Sequence, residues 1–311
     1  MSIRILATHP LVGPALADLG ARFPELVVAP FRSKAWNAAR AEAEAVVVLL
    51  SQPLTEEDLQ AMPRLRALGT FSVGMDHLPV AACRARGIPV VHTPDVLTDA
   101  TADLTLALLL AVTRRLAEGE ALLRSGGWHG WAPDQLLGRS VSGRTCGILG
   151  SGPIGRAFAR RVWALGMQPL FWDRAGSGGE VDFGLGRSAR LPLEQLLPHC
   201  DVLSLHCPLT EATRGLLDRC ALAMLPRGAI LLNTARGGIL DESAAMDFLE
   251  EGHLGGAGLD VYEGEPDFDP RWLRTPRTVL LPHLGSATVQ AREAMASRLC
   301  DGLASALAAP R

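Results

Sequence analysis

The sequence predicts an α/β protein with two doubly wound parallel sheets. Three observations predict it. Short apolar, β-rich runs alternate with helical patterns along the chain, which argues for parallel strands covered by helices on both faces. The alternation comes as two series, parted by one long helical stretch. The length of 311 residues suits two domains at about 150 residues each.

The first series places strands at Ile3 to Ala7, Val46 to Leu50, Ala67 to Gly69 and Pro89 to Val91, with short helices at Thr55 to Met62 and His77 to Arg86. The long stretch is Asp99 to Arg124, with Thr98 as its cap and Asp99 and Asp103 near its positive end. The second series places strands at Thr145 to Leu149, Pro169 to Trp172, Val202 to Leu205, Ala229 to Leu232, Ala257 to Leu259 and Val279 to Leu281. Helices fit between them at Gly155 to Leu165, Leu193 to Leu197 and Glu242 to Glu250. Ala175 to Arg187 holds five glycines without a period and reads as a mobile surface loop. Ser286 to Ala308 reads as a final helix, ended by Pro310, that returns to the first domain. The expected division is 1–98 with 286–311 for substrate, and 99–285 for a dinucleotide.

Composition removes several function classes. Charged residues are 20% and the net charge is -3, so no basic surplus points to nucleic acid or to an anionic membrane surface. Lys34 is the one lysine among 30 basic residues, which removes the phosphate loop that ends in Gly-Lys and leaves Lys34 alone for Schiff-base chemistry. The one tyrosine, Tyr262, has Pro266 four places on, which excludes a Tyr-x-x-x-Lys pair. The six cysteines form no Cys-x-x-Cys pair and most sit in apolar runs, so buried free thiols are expected and no metal is. No charged-then-apolar leader opens the chain, and no apolar run reaches about 18 residues. A cytoplasmic protein without an anchor is expected.

Gly150-Ser151-Gly152-Pro153-Ile154-Gly155 is a Gly-x-Gly-x-x-Gly between a strand and an amphipathic helix. Gly150 permits the tight turn, Gly152 lets a pyrophosphate approach the backbone, and Gly155 lets helix pack on strand. The following helix N-terminus offers unpaired N–H groups to phosphates. Asp173 ends the next strand, about 20 residues on, where a carboxylate takes the adenosine ribose hydroxyls. Strand, loop, helix, strand and acid stand in the order of a Rossmann-like unit. Asp173 favours NAD(H) over NADP(H). Arg174 opposes it, since an arginine there can pair with a 2′-phosphate.

Three further motifs each place an ionisable residue just beyond a strand: Asn233 to Gly238, Gly258 to Pro266 and Leu281 to Ser286. In an open parallel sheet that rim is where ligands bind. Arginine, glutamate and histidine fit reduction of a 2-keto acid. Arg236 can bind a substrate carboxylate through a paired hydrogen bond and polarise the adjacent carbonyl. His283 can donate a proton to the carbonyl oxygen, and Glu265 can hold the other imidazole nitrogen.

With these motifs the chain resembles the D-2-hydroxyacid dehydrogenase family over essentially its full length. The resemblance implies two similar doubly wound domains, a cofactor in the cleft between them, and reversible hydride transfer between NAD(H), or NADP(H), and a 2-keto acid, giving the D-2-hydroxy acid. It assigns catalysis to Arg236, Glu265 and His283. It adds cofactor contacts at Thr105, Pro153, Ile154, Cys207, Thr234, Asp260 and Gly285, and a substrate carboxylate on the backbone of Val73 and Gly74. Thr93 to Asp99 and Gly127 to Pro133 are similar to glyoxylate/hydroxypyruvate reductases. In those enzymes a tryptophan matching Trp131 reaches the partner subunit's active site, which implies a homodimer. Other readings are a D-3-phosphoglycerate dehydrogenase or one for larger keto acids, a phosphite dehydrogenase, whose lysine would fall at Ser72, and a cofactor-sensing co-repressor of the same fold. The first is set back by few basic residues near the pocket, and the last by the presence of both acid and arginine.

Overall fold

The structure is a computed structural model that describes residues 3–10, 20–174, 176 and 178–308. The chain divides into two compact units, Met1–Leu97 with Ser286–Arg311, and Thr98–Gly285.

The first unit holds β1 (Arg4–Ala7), β2 (Glu25–Val28), α1 (Lys34–Ala39), β3 (Ala45–Val48), α2 (Glu56–Gln60), β4 (Ala67–Thr70), α3 (Val80–Ala85) and β5 (Val90–Val91). Its five strands are all parallel, in the order β2-β1-β3-β4-β5. β3 and β4 are wholly buried, which is why Val46 to Val48 and Ala67 to Leu68 read as unbroken apolar runs. α2 begins where Thr55 and Asp58 cap each other's backbone N–H groups. Three elements differ from expectation. β2 and α1 lie where no element was expected; β2 is a half-buried edge strand of four residues. The helix expected from His77 starts at Val80, because a turn from Met75 to Leu78 precedes it.

The second unit holds α4 (Thr98–Thr113), α5 (Leu116–Arg124), β6 (Thr145–Leu149), α6 (Pro153–Ala164), β7 (Gln168–Trp172), β8 (Glu180–Asp182), β9 (Arg187–Ala189), α7 (Leu193–Leu196), β10 (Val202–Leu205), α8 (Arg219–Ala223), β11 (Ala229–Asn233), α9 (Glu242–Glu250), β12 (Leu254–Leu259) and β13 (Thr278–Leu280). Six parallel strands run β13-β12-β11-β10-β6-β7. Their register lines up Leu280, Leu259, Asn233, Leu205, Leu149 and Trp172 as one row at the carboxyl edge. Residues just beyond that row therefore share a rim, with the reversal of strand order between β6 and β10.

The single long helix expected from Asp99 to Arg124 is two helices. Arg115 takes a left-handed φ of 52° between them. The cause is tertiary: the N–H of Arg139 donates to the Thr113 carbonyl at 2.8 Å, and a Cβ at Gly138 would stand 2.3 Å from that oxygen. A passing segment ends α4 by taking its last carbonyl. Thr98 is the first helical residue rather than a preceding cap.

The expected mobile loop from Ala175 to Arg187 is corrected for its described part. β8 and β9 form an antiparallel hairpin there. Val181 and Phe183 are buried, and Phe183 packs against Trp163 and Phe171; this anchor outweighs the glycines around it. Ala175 and Ser177 lie outside the described residues.

The last helix, α10 (Val289–Ala308), starts three residues later than expected, with Thr288 Oγ1 accepting the N–H of Ala291 at 3.1 Å. Its Leu299 and Leu303 pack over Gly69 of β4. Pro310 lies outside the described residues. Among those described, no helix is long and apolar enough to cross a membrane.

Candidate active site

At the end of β6 the chain turns through Gly150 at φ 115°. A Cβ there would stand 2.6 Å from the His206 carbonyl oxygen, beyond β10. Gly155 sits in the first turn of α6, where a Cβ would come within 2.0 Å of the Gly150 oxygen. Glycine is thus required at both positions. Gly152 differs: nothing lies within 4 Å of where its Cβ would be. It is the N-cap of α6, no side chain caps that helix, and Pro153 has no N–H to offer. Open space over uncapped N–H groups, including that of Ile154, suits a pyrophosphate. These residues fit the dinucleotide that the motif implies.

Asp173 follows β7 and accepts from the Ser151 hydroxyl. Its Oδ2 also pairs with Arg190 Nε at 3.1 Å, a partner absent from the reading of the sequence. Arg174, next in the chain, is exposed. Cys207 lies beyond β10, and burial pushes its thiol up to about 11 against the opposing pull of Arg174. It is an uncharged wall. His206 rests on Phe158 and shares a hydrogen bond with Ser204 Oγ at 2.8 Å. Burial lowers its pKa to about 3, so it is neutral behind the glycine turn.

Thr105 of α4 bonds Thr234 Oγ1 at 2.8 Å, and Thr101 donates to the Gly285 carbonyl at 3.0 Å. Asp260, just after β12, accepts from the N–H groups of Leu284 and Gly285 at 2.6 and 2.7 Å. Burial raises its pKa; those two bonds and the nearby His283 partly oppose this. Asp260 is therefore the buried clasp that shapes the 283–285 turn, where His283 adopts a φ of 56°.

That turn aims the imidazole at Glu265. His283 Nδ1 and Glu265 Oε1 are 2.6 Å apart, with side chains 22% and 24% exposed. Glu265 Oε2 accepts the Tyr262 N–H at 3.3 Å. Behind this loop stands Glu242, whose buried carboxylate accepts from Trp272 Nε1 at 2.8 Å and from the Glu263 N–H at 2.7 Å. Burial raises the Glu242 pKa. Its sequence signal is only that of an acid at a helix start, which does not reveal its part in holding the 262–265 loop.

Arg236 lies beyond β11, the strand adjacent to β12. Asn233 fixes the local turn, accepting from the Ala235 N–H at 3.0 Å and donating to the Arg236 carbonyl at 2.9 Å. A Cβ on Gly237 would stand 1.9 Å from the Tyr262 carbonyl carbon, so the arginine loop lies on the backbone of the glutamate loop. The structure thus places His283 and Glu265 in contact, and Arg236 on the neighbouring strand end.

In the first unit, the loop after β4 is held by side chains. Ser72 Oγ donates to the Gly74 carbonyl at 2.6 Å, and His92 Nδ1 lies 3.0 Å from the Val73 carbonyl. The peptide plane turns the Gly74 N–H opposite to that carbonyl. In the second unit Trp128 and Trp131 are 50% and 82% exposed.

Residues 106–285 match the model of the D-isomer specific 2-hydroxyacid dehydrogenase, NAD binding domain. A glyoxylate reductase of Thermococcus litoralis is 41% identical over 266 residues, 84% of this chain and 80% of that protein. A crystal structure of a Thermus thermophilus protein superposes with a TM-score of 0.89 at 41% identity, covering 98% of this chain and 97% of the other. An NADPH-dependent glyoxylate/hydroxypyruvate reductase of Sinorhizobium meliloti, solved with NADP and malonate, gives 0.88 at 34% identity, covering 99% and 94%. With a glycine loop shaped for a dinucleotide and a His–Glu pair on the same rim, this chain belongs to the D-isomer specific 2-hydroxyacid dehydrogenase family.

Proposed function

We propose that this NAD(P)-dependent dehydrogenase reduces short 2-keto acids of the glyoxylate and hydroxypyruvate type, reversibly, to D-2-hydroxy acids. The observation that carries the reading is the 2.6 Å contact between His283 Nδ1 and Glu265 Oε1. Glu265 occupies Nδ1, so Nε2 is the nitrogen that gives a proton to the substrate's carbonyl oxygen. The carboxylate of Glu265 stabilises the charged imidazolium before transfer and keeps the ring in one orientation. When bound, the reduced nicotinamide supplies the hydride.

Arg236 binds the substrate carboxylate. One of its terminal nitrogens donates to the Ala235 carbonyl at 2.8 Å, which orients the planar group. The family resemblance assigns the Val73 and Gly74 backbone of the other unit to a carboxylate as well. The Thr98–Gly285 unit is assigned to the cofactor: Gly150, Gly152, Pro153, Ile154 and Gly155 to the pyrophosphate, and Asp173 and Arg174 to the adenosine ribose. Thr105, Cys207, Thr234, Asp260 and Gly285 are assigned to the rest of the cofactor. The other unit is assigned to substrate. The exposed Trp128 and Trp131 support a homodimer, since a symmetric partner removes such apolar surface from water. Trp131 closes the neighbouring subunit's substrate pocket in this reading.

The test is consumption of NADH with glyoxylate, hydroxypyruvate, pyruvate, phosphohydroxypyruvate and a bulky keto acid. Highest kcat/KM is expected for the first two. Turnover of only the phosphorylated or bulky acid would overturn the assignment.

A further inference from the structure

The adenosine end of the dinucleotide site holds a charge pair that the fingerprint does not contain. Asp173 ends its strand where a carboxylate conventionally takes both ribose hydroxyls and repels a 2′-phosphate. Here the carboxylate already has a cation. The β8–β9 hairpin brings Arg190 alongside β7, where it bridges Phe171. Three backbone bonds fix it there: Gly178 N–H to the Arg190 carbonyl, Arg190 N–H to the Gly179 carbonyl, and Leu191 N–H to the Phe171 carbonyl, at 3.2, 3.1 and 2.8 Å. The Arg190 and Asp173 side chains are 21% and 15% exposed. Water screens such a pair less than it does a surface pair. Among the described residues Arg190 has no other ion pair. Arg174 adds a second guanidinium beside the same carboxylate in the chain.

We propose that Arg190 is a cofactor-specificity residue: by neutralising Asp173 it lets the site accept the 2′-phosphate of NADP(H) as well as the ribose hydroxyl of NAD(H). The proposal rests on the dinucleotide-site reading and deepens it. With Arg190 paired to it, the Asp173 carboxylate is no longer an uncompensated negative charge, and Arg174 adds positive charge at the next position in the chain. A 2′-phosphate, at close to two negative charges, meets attraction there instead of repulsion. The pair is made at Nε, and the 21% of the Arg190 side chain left exposed is the part a phosphate would meet. Asp173 alone would make the chain strictly selective for NAD(H); the pair makes it permissive. The determinant lies 17 positions beyond the acid, just after β9, so the fingerprint alone misassigns the selectivity.

The experiment compares binding of two cofactor fragments, 5′-AMP and adenosine 2′,5′-bisphosphate, by calorimetry in the full chain. NADH and NADPH titrations followed by fluorescence run beside it. Wild type is expected to bind the two fragments within about tenfold of each other. Arg190→Leu and Arg190→Gln are expected to weaken the bisphosphate about tenfold or more while 5′-AMP changes less than twofold. Arg190→Lys, which keeps the charge, is expected to retain most bisphosphate affinity. An unchanged ratio in the Leu and Gln variants overturns the proposal. Equal weakening of both fragments, with Lys no better than Gln, also overturns it and leaves Arg190 a hairpin brace. Failure of wild type to bind either fragment would instead overturn the dinucleotide site itself, whatever keto acid the enzyme reduces.

Discussion

Changing Glu265 to Gln keeps the side chain's shape and removes its charge. Two contacts define what is lost. Oε1 lies 2.6 Å from His283 Nδ1, and Oε2 accepts the Tyr262 N–H at 3.3 Å. A glutamine can still occupy the space and accept one bond, so the fold survives. A charge-assisted bond contributes about 1.5–3 kcal/mol and a neutral one about 0.5–1.5 kcal/mol. Both side chains are under a quarter exposed, so solvent screening takes only part of the difference. The net loss is about 1 kcal/mol from the hold that orients the ring, or about fivefold in rate. Because Glu265 acts through His283, kcat falls and KM for the keto acid stays within about twofold. Steady-state reduction of glyoxylate, measured at one pH beside His283→Ala, reads this out. The alanine variant is expected to lose about 10²–10⁴-fold. A glutamine enzyme with wild-type kcat, or with the loss confined to KM, would refute the reasoning.

Trp131→Ala is expected to leave a dimer by sedimentation but to raise kcat/KM for bulkier keto acids relative to glyoxylate; an active wild-type monomer would sink the trans-pocket assignment. Gly155→Val forces a side chain into a space where even a Cβ meets the Gly150 oxygen at 2.0 Å. NADH affinity should drop at least about tenfold, and binding at wild-type strength would show that the loop can move aside. His206 is held neutral by burial with a pKa near 3, against the ordinary 6.5. Between those values the unfolded chain binds more protons, so stability is full above pH 6.5 and falls as pH drops, by at most about 1.4 kcal/mol per unit. Urea midpoints at pH 7.5 and 5 should diverge in the wild type and less so in His206→Gln; equal slopes would remove His206 as the cause.

The parts of the fold that local patterns specify were legible. Thr145 to Leu149, Val202 to Leu205 and Glu242 to Glu250 fall where the runs put them. Buried parallel strands must be apolar throughout, and Asp241 caps its helix through the Ala244 N–H. The glycine turn was legible for a similar reason, since few residues fit a φ of 115° or a 2.0 Å approach. A four-residue edge strand and a hairpin of two three-residue strands inside a glycine-rich stretch carry too few side chains to announce themselves. The residue types of the rim and the His283–Glu265 pairing could be named in advance; the further partners, such as the Tyr262 N–H on Glu265, could not.

The sequence by itself determined two series of parallel strands, the dinucleotide turn after β6, and the rim positions of Arg236, Glu265 and His283. Each is encoded within a few residues of chain, through burial of neighbouring side chains or a steric demand on one backbone position. The tertiary structure alone decided the rest: the break at Arg115, the Glu242 brace behind the glutamate loop and the Arg190–Asp173 pair. These arise where segments distant in sequence meet. A contact of about 3 Å between them depends on register and packing, which no local run of residues specifies.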